Sequence, residues 1–178
     1  CLNKFVDWCN QHNQKFQTVL DIGAWCGTWT RVMETHSKNI IAFEPDEIHF
    51  ACLEKNCSIN CTPRQQAVGN ELKLISLTED NFTQAKRVSG AGKIEMITVD
   101  SLEIYDIDLI KIDVEGYEME VLKGAKKVLE TQCKFVMIEL NSNTGKYGSS
   151  NQECMDMLKG LGFHLLLEHW PDKVFWRK

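Results

Sequence analysis

The run Val19-Leu20-Asp21-Ile22-Gly23-Ala24-Trp25-Cys26-Gly27-Thr28 reads as a buried strand that ends in a tight glycine loop and opens into a helix. A second strand follows at Asn39–Phe43, after which the chain reads Glu44-Pro45-Asp46. Strand, glycine turn, helix and a second strand ending on a carboxylate make up the first half of a doubly wound α/β unit. Glu44 lies 23 residues beyond Asp21, near the ~20-residue offset at which an acidic side chain meets an adenosine ribose in such folds. Glycine in the loop lets the backbone approach a ligand that a Cβ would block. Together these features point to a nucleoside cofactor.

The loop chemistry narrows the cofactor. A pyrophosphate needs bare backbone at a helix N-terminus, hence Gly-x-Gly-x-x-Gly. Here Asp21 stands at the first glycine position, and a carboxylate there would repel a phosphate. It suits a ligand with a cationic end and no phosphate, such as S-adenosylmethionine. Asp-x-Gly-x-x-x-Gly followed by an acidic second strand end resembles the pattern of class I methyltransferases. A glycine pair alone would fit a purely structural turn equally well; Asp21, Glu44 and the later carboxylates weigh against that.

The remaining chain extends the alternation. An amphipathic helix carrying Leu2, Phe5, Val6 and Cys9 opens it. Trp29–Thr35 reads as a helix, and Asp46 as the N-cap of another through Ala51, Leu53 and Lys55. Thr62–Val68 reads as a third strand. Between Glu71 and Val99 the pattern predicts a hairpin-like excursion, with a mobile lid or acceptor loop over Asp80–Gly92. Leu109–Asp113 is the fourth main strand, Tyr117–Leu129 a helix, and Phe135–Leu140 the fifth strand. Ser149 or Ser150 caps a helix that Gly162 stops. Phe163–Leu167 and Lys173–Trp176 close the chain as a hairpin turning at Trp170-Pro171-Asp172. The expected fold is α/β and Rossmann-like: a seven-stranded, mostly parallel sheet, helices on both faces, and a C-terminal antiparallel hairpin. The 178 residues suit one domain, 1–178.

Composition excludes several classes. A net charge of −5 disfavours a broad nucleic-acid footprint, although Lys86, Arg87 and Lys93 could form a local basic patch. No apolar run is long enough for a membrane span. The chain begins at Cys1 with no signal-like stretch, as expected of a piece of a longer protein. Eight cysteines form no Cys-x-x-Cys pair, so zinc-ribbon and thioredoxin readings fail. They are expected to pack as small apolar thiols in a reducing, cytoplasmic compartment, and no metal ligand is assigned.

The second chemical motif is Asp108-Leu109-Ile110-Lys111-Ile112-Asp113-Val114-Glu115-Gly116-Tyr117-Glu118. The first and fourth main strands flank the crevice where strand order reverses, so Asp113, Glu115 and Glu118 should cluster at its mouth. Glu118 also suits a solvated helix start; Asp113, at a buried strand end, does not. Ile-Asp-Val-Glu-Gly-x-Glu-x-x-Val-Leu-x-Gly-Ala, after Asp-Ile-Gly-Ala and Phe-Glu-Pro, resembles the FkbM family of S-adenosylmethionine-dependent methyltransferases. Gln66-Ala67-Val68-Gly69, Thr98–Leu102 and Ile138-Glu139-Leu140 extend the resemblance across about residues 18–168.

The resemblance implies O-methylation of a sugar, glycan or other small-molecule hydroxyl. An RNA or cap ribose methyltransferase and a non-catalytic S-adenosylmethionine-binding module are the alternatives. It implies cofactor contacts from Asp21, Gly23, Ala24, Trp25, Cys26, Gly27, Glu44, Pro45, Ala67, Val68 and Asp113. Trp25 departs from the family, which usually has Asn there. Asp113 is the first candidate for the base that accepts the hydroxyl proton and Glu115 the second, their like charges expected to raise one another's pKa. A divalent cation held by the same carboxylates, with Glu139 as a third oxygen donor, is the other route to an activated hydroxyl.

Overall fold

A computed structural model describes residues 1–79 and 86–178. Seven strands form the main sheet: β1 (Phe16–Ile22), β2 (Ser37–Phe43), β3 (Cys61–Arg64), β7 (Ile107–Ile112), β8 (Phe135–Glu139), β9 (His164–His169) and β10 (Asp172–Trp176). Their order is β3-β2-β1-β7-β8-β10-β9. The first five are parallel, and the β9–β10 hairpin closes the sheet antiparallel to β8. Order reverses between β1 and β7, the switch point where ligands bind in such sheets.

The apolar strands need cover on both faces and receive it. Along β1, Phe16 and Val19 pack beneath α1 (Leu2–Gln11) and α2 (Thr28–Met33), with Phe5, Trp29 and Met33. Leu20 and Ile22 join the opposite core with α4 (Glu118–Gly124), α5 (Lys126–Thr131) and α6 (Asn151–Gly160), through Val121, Leu122, Leu129 and Leu158. Such two-sided burial is why β1 and β7 place adjacent apolar residues on both faces, Val19-Leu20 and Leu109-Ile110, rather than alternating. Helix α3 (Glu47–Asn56) starts where predicted: Asp46 Oδ1 accepts the amides of Ile48 and His49, each at 3.1 Å. Ser150 caps α6 in a capping box with Glu153.

Several expectations are corrected. The third strand divides: β3 stays at the sheet edge, while β4 (Ala67–Val68) leaves it to pair with β6 (Lys86–Ile97), which also pairs with β5 (Lys73–Glu79). The predicted excursion is therefore a second, three-stranded sheet. Of the loop expected over Asp80–Gly92, positions 86–92 are strand, and 80–85 lie outside the described residues. The helix expected over Tyr117–Leu129 breaks at Ala125. Cys57 and Cys61, expected as thiols, are joined as a disulfide between the end of α3 and β3. Among the described residues no helix is long and apolar enough to cross a membrane.

Candidate active site

A cavity of about 660 Å³ opens at the carboxyl ends of β1, β2, β7 and β8, within the size range of small-ligand sites. Nine of the predicted site residues line it: Gly23, Ala24, Trp25, Glu44, Pro45, Ala67, Val68, Asp113 and Glu115. Asp21, Cys26 and Gly27 do not. They shape its floor and loop from behind.

Asp21 is fully buried. One carboxylate oxygen accepts the Thr30 hydroxyl at 2.5 Å, and the other lies 3.0 Å from the Lys111 ammonium, in an ion pair rather than a well-directed hydrogen bond. Asp21 and Lys111 are cross-strand partners in the β1–β7 register. The ammonium also donates to the Gly23 carbonyl at 2.6 Å and stands 3.5 Å from Asp113 Oδ2. Burial disfavours its charge, but Asp21 and Asp113 overcome that and raise its pKa. The expectation that Asp21 faces a cationic ligand is thus corrected: its charge is spent on Lys111. Lys111 itself was the missed site residue. Its signal was present, since a lysine inside Leu-Ile-Lys-Ile requires a buried partner.

The loop rests on the neighbouring strand end. Asp113 donates its amide to the Ile22 carbonyl at 3.0 Å. A Cβ on Gly23 would lie 1.8 Å from the Asp113 carbonyl oxygen, and Gly23 has φ of +78°, so no other residue fits there. Trp25 sits at φ +50°, in the left-handed region that Asn tolerates and bulky residues avoid. That geometry gives a backbone reason for the Asn usual at this position. The indole is 53% exposed at the cavity rim, edge-on to His49.

Glu44 is buried at the end of β2. Its oxygens accept the Trp25 and Asp46 amides, each at 2.9 Å. Burial raises its pKa; the two amides and His49 offset this only in part. Each oxygen keeps a lone pair for a ligand hydroxyl.

Asp113 and Glu139 end adjacent parallel strands, one step beyond the Ile112–Ile138 pair, and both line the cavity. Burial works to raise the Asp113 carboxyl, but the Lys111 ammonium and a hydrogen bond from Glu139 hold it below its usual range. Glu139 is pushed up to about 8, by that hydrogen bond, by burial and by the Asp113 charge; Asn141 donates to it at 3.2 Å. Lys111 thus favours an ionised Asp113, and the upward shift falls on Glu139, opposite to the upward push expected for Asp113.

Glu115 adopts φ of +56° and accepts Asn143 Nδ2 at 2.7 Å. Glu118, expected at the crevice mouth or at a solvated helix start, meets neither expectation: it is buried off the cavity lining and accepts the Gly116 amide at 2.8 Å, so it fastens the loop after β7. The far wall comes from the small sheet, through Leu77 and Val88, and from Tyr117. Tyr147 stacks edge-on to Tyr117 and donates to the Val88 carbonyl at 3.0 Å, tying the two sheets together. Among the described residues no cluster of three metal-ligating side chains exists.

Residues 21–165 match the model of the methyltransferase FkbM domain. The chain belongs to the FkbM methyltransferase family. Over 133 residues this FkbM chain is 29% identical to the hexuronic acid methyltransferase AglP of Haloferax volcanii, covering 68% of the chain and 55% of AglP. The methyltransferase FkbM of Methylobacillus flagellatus KT superposes with a TM-score of 0.63 at 17% identity, over 90% of this chain and 43% of that one. Magnesium protoporphyrin IX methyltransferase (ChlM) of Synechocystis PCC 6803, solved with bound S-adenosylmethionine, gives 0.61 at 10% identity, over 99% and 78%. The chain thus spans about half the length of the first two relatives. The structural likenesses bear on the fold, which is that of class I methyltransferases.

Proposed function

We propose that this chain binds S-adenosylmethionine in the cavity and methylates a hydroxyl of a sugar, glycan or other small molecule. The observation that carries the reading is one continuous cavity. It has a buried carboxylate, Glu44, at the β2 end, the Gly23 loop across its floor, and a carboxyl pair, Asp113 and Glu139, at the β7 and β8 ends. Its lining fits the cofactor: Glu44 can accept ribose hydroxyls, and Pro45, Ala67 and Val68 offer apolar surface to a purine. When bound, S-adenosylmethionine supplies a methyl group already activated on a sulfonium.

The protein's share is then orientation and proton handling. The attacking hydroxyl must lose its proton, and Asp113, ionised and opening on the cavity, is the group to accept it. Lys111 fixes the Asp113 carboxylate in place. Glu115, held by Asn143, is the second candidate.

A glycan acceptor draws support from the AglP relationship. An RNA acceptor is disfavoured by charge. Among the described residues lining the cavity, five are Asp or Glu and only Lys111 is Lys or Arg, and Lys111 is already engaged. A phosphate backbone would be repelled there. Titration calorimetry of the protein with S-adenosylhomocysteine and with NAD tests the cofactor. Binding of the first alone is expected, weakened about 10–100-fold by Glu44→Gln, as for a hydrogen bond to a charged group. Tight NAD binding, or unchanged affinity in the variant, would overturn it.

A further inference from the structure

The Asp113–Glu139 pair has a property that the proposed reaction can exploit. Its two carboxyls end neighbouring strands and face one cavity, and burial beside the Asp113 charge raises Glu139 to about 8. They are not equivalent. Lys111, anchored by Asp21, faces Asp113 from β1 and β7. Among the described residues no cation stands beside Glu139 in the same way. It faces Asp113, the Asn141 amide, the Glu115 charge, and Asp172, its register partner on β10, whose Oδ2 lies 3.4 Å from the Cys1 amino group. Adding one positive charge to the shared cavity favours the doubly ionised pair; a neutral ligand does not.

Resting on the cofactor assignment above, we propose that the Asp113–Glu139 pair senses the charge on the cofactor's sulfur: it gives its shared proton to solvent when S-adenosylmethionine binds and keeps it when S-adenosylhomocysteine binds. The proton inventory closes over a turnover. Donor binding releases one proton to solvent. In transfer, the C–S bond breaks and an O–C bond forms. The acceptor's O–H bond breaks as its proton passes to the carboxyl pair. The sulfur is then neutral, and the pair again holds one proton, the state that suits the bound product. Both carboxylates of the pair are therefore free only when a methyl group is present to be transferred.

Calorimetry in two buffers of different ionisation enthalpy counts these protons without any acceptor. Near pH 7.5, with Glu139 at about 8, roughly 0.5–0.8 proton should be released per S-adenosylmethionine bound and near zero per S-adenosylhomocysteine. Affinity for the methyl donor should rise with pH below 8, by at most about tenfold per unit, while affinity for the product stays nearly flat. Glu139→Gln should bind both ligands and remove the difference in proton count. Subtracting the variant's count from the wild-type count, ligand by ligand, cancels protons exchanged on the ligands' own amino groups. Equal proton counts for the two ligands in the wild-type protein, or an undiminished difference in Glu139→Gln, would overturn the proposal. If neither ligand binds, the cofactor assignment fails and the inference with it. Should Glu139→Gln not fold, carbon-13 NMR of the wild-type glutamate carboxyls decides the matter. A carboxyl titrating near 8 in the free protein must move down by more than one unit with S-adenosylmethionine, and must not with S-adenosylhomocysteine.

Discussion

The Lys111 ammonium lies 3.0 Å from the carboxylate of Asp21, its cross-strand partner, and both side chains are buried. The pair joins the floor of the glycine loop to the Asp113 carboxylate. Removing one partner leaves the other charge buried and uncompensated, which costs about 3–5 kcal/mol. Lys111→Met should lose that much stability in urea unfolding. The double variant Asp21→Asn/Lys111→Met should recover part of it, because no lone charge then remains on that side.

Asp113 should matter for transfer more than for cofactor affinity. Asp113→Asn keeps the shape and removes the charge. Turnover on a genuine acceptor should fall by roughly 10²–10⁴-fold if Asp113 is the base, with little change in S-adenosylhomocysteine affinity by calorimetry. Near-full turnover would shift the assignment to Glu115 or Glu139.

The raised Glu139 pKa has a signed consequence for stability. The folded state binds this proton more tightly than the unfolded chain, about 8 against 4.5. The resulting stabilisation is complete below pH 4.5 and is lost as pH rises through 8. Glu44 and Glu118, also raised by burial, act in the same direction. Urea unfolding of the ligand-free protein should show stability falling from pH 5 to 8.5, and a shallower fall in Glu139→Gln. An identical slope in the variant would contradict the assignment.

Trp25 occupies a left-handed conformation, and its indole is half-exposed. Such backbone strain costs a non-glycine residue on the order of 1–3 kcal/mol. Trp25→Asn should therefore raise the unfolding free energy by about 1 kcal/mol, since Asn visits this region readily. Any loss of S-adenosylhomocysteine affinity in the same variant would measure what the indole contributes to the rim.

Much of the site was legible in one dimension. Gly23, Glu44, Asp113 and Glu115 are each read from a strand end, and strand ends follow from apolar runs and turn residues alone. The motif that begins at Ile112-Asp113, placed after the glycine loop and Phe43-Glu44-Pro45, also carried the FkbM resemblance. The partners were less legible. Lys111 read only as part of a strand, and Glu139 only as a third oxygen donor at a strand end, because each acquires its role from a residue on another element.

The sequence by itself determined the doubly wound order, the hairpin that closes it and the carboxylates at the crevice, because periodicity and turn chemistry are local. It did not determine that β4 joins a second sheet, that Cys57 pairs with Cys61, or that Glu118 is buried. Nor did it determine which carboxyl of the Asp113–Glu139 pair is pushed up and which is held down. That depends on Lys111 standing beside one carboxyl and not the other, within a few ångströms and out of water. Electrostatic energies in a buried site change steeply over such distances. Only the packing of β1, β7 and β8 against one another brings those charges together.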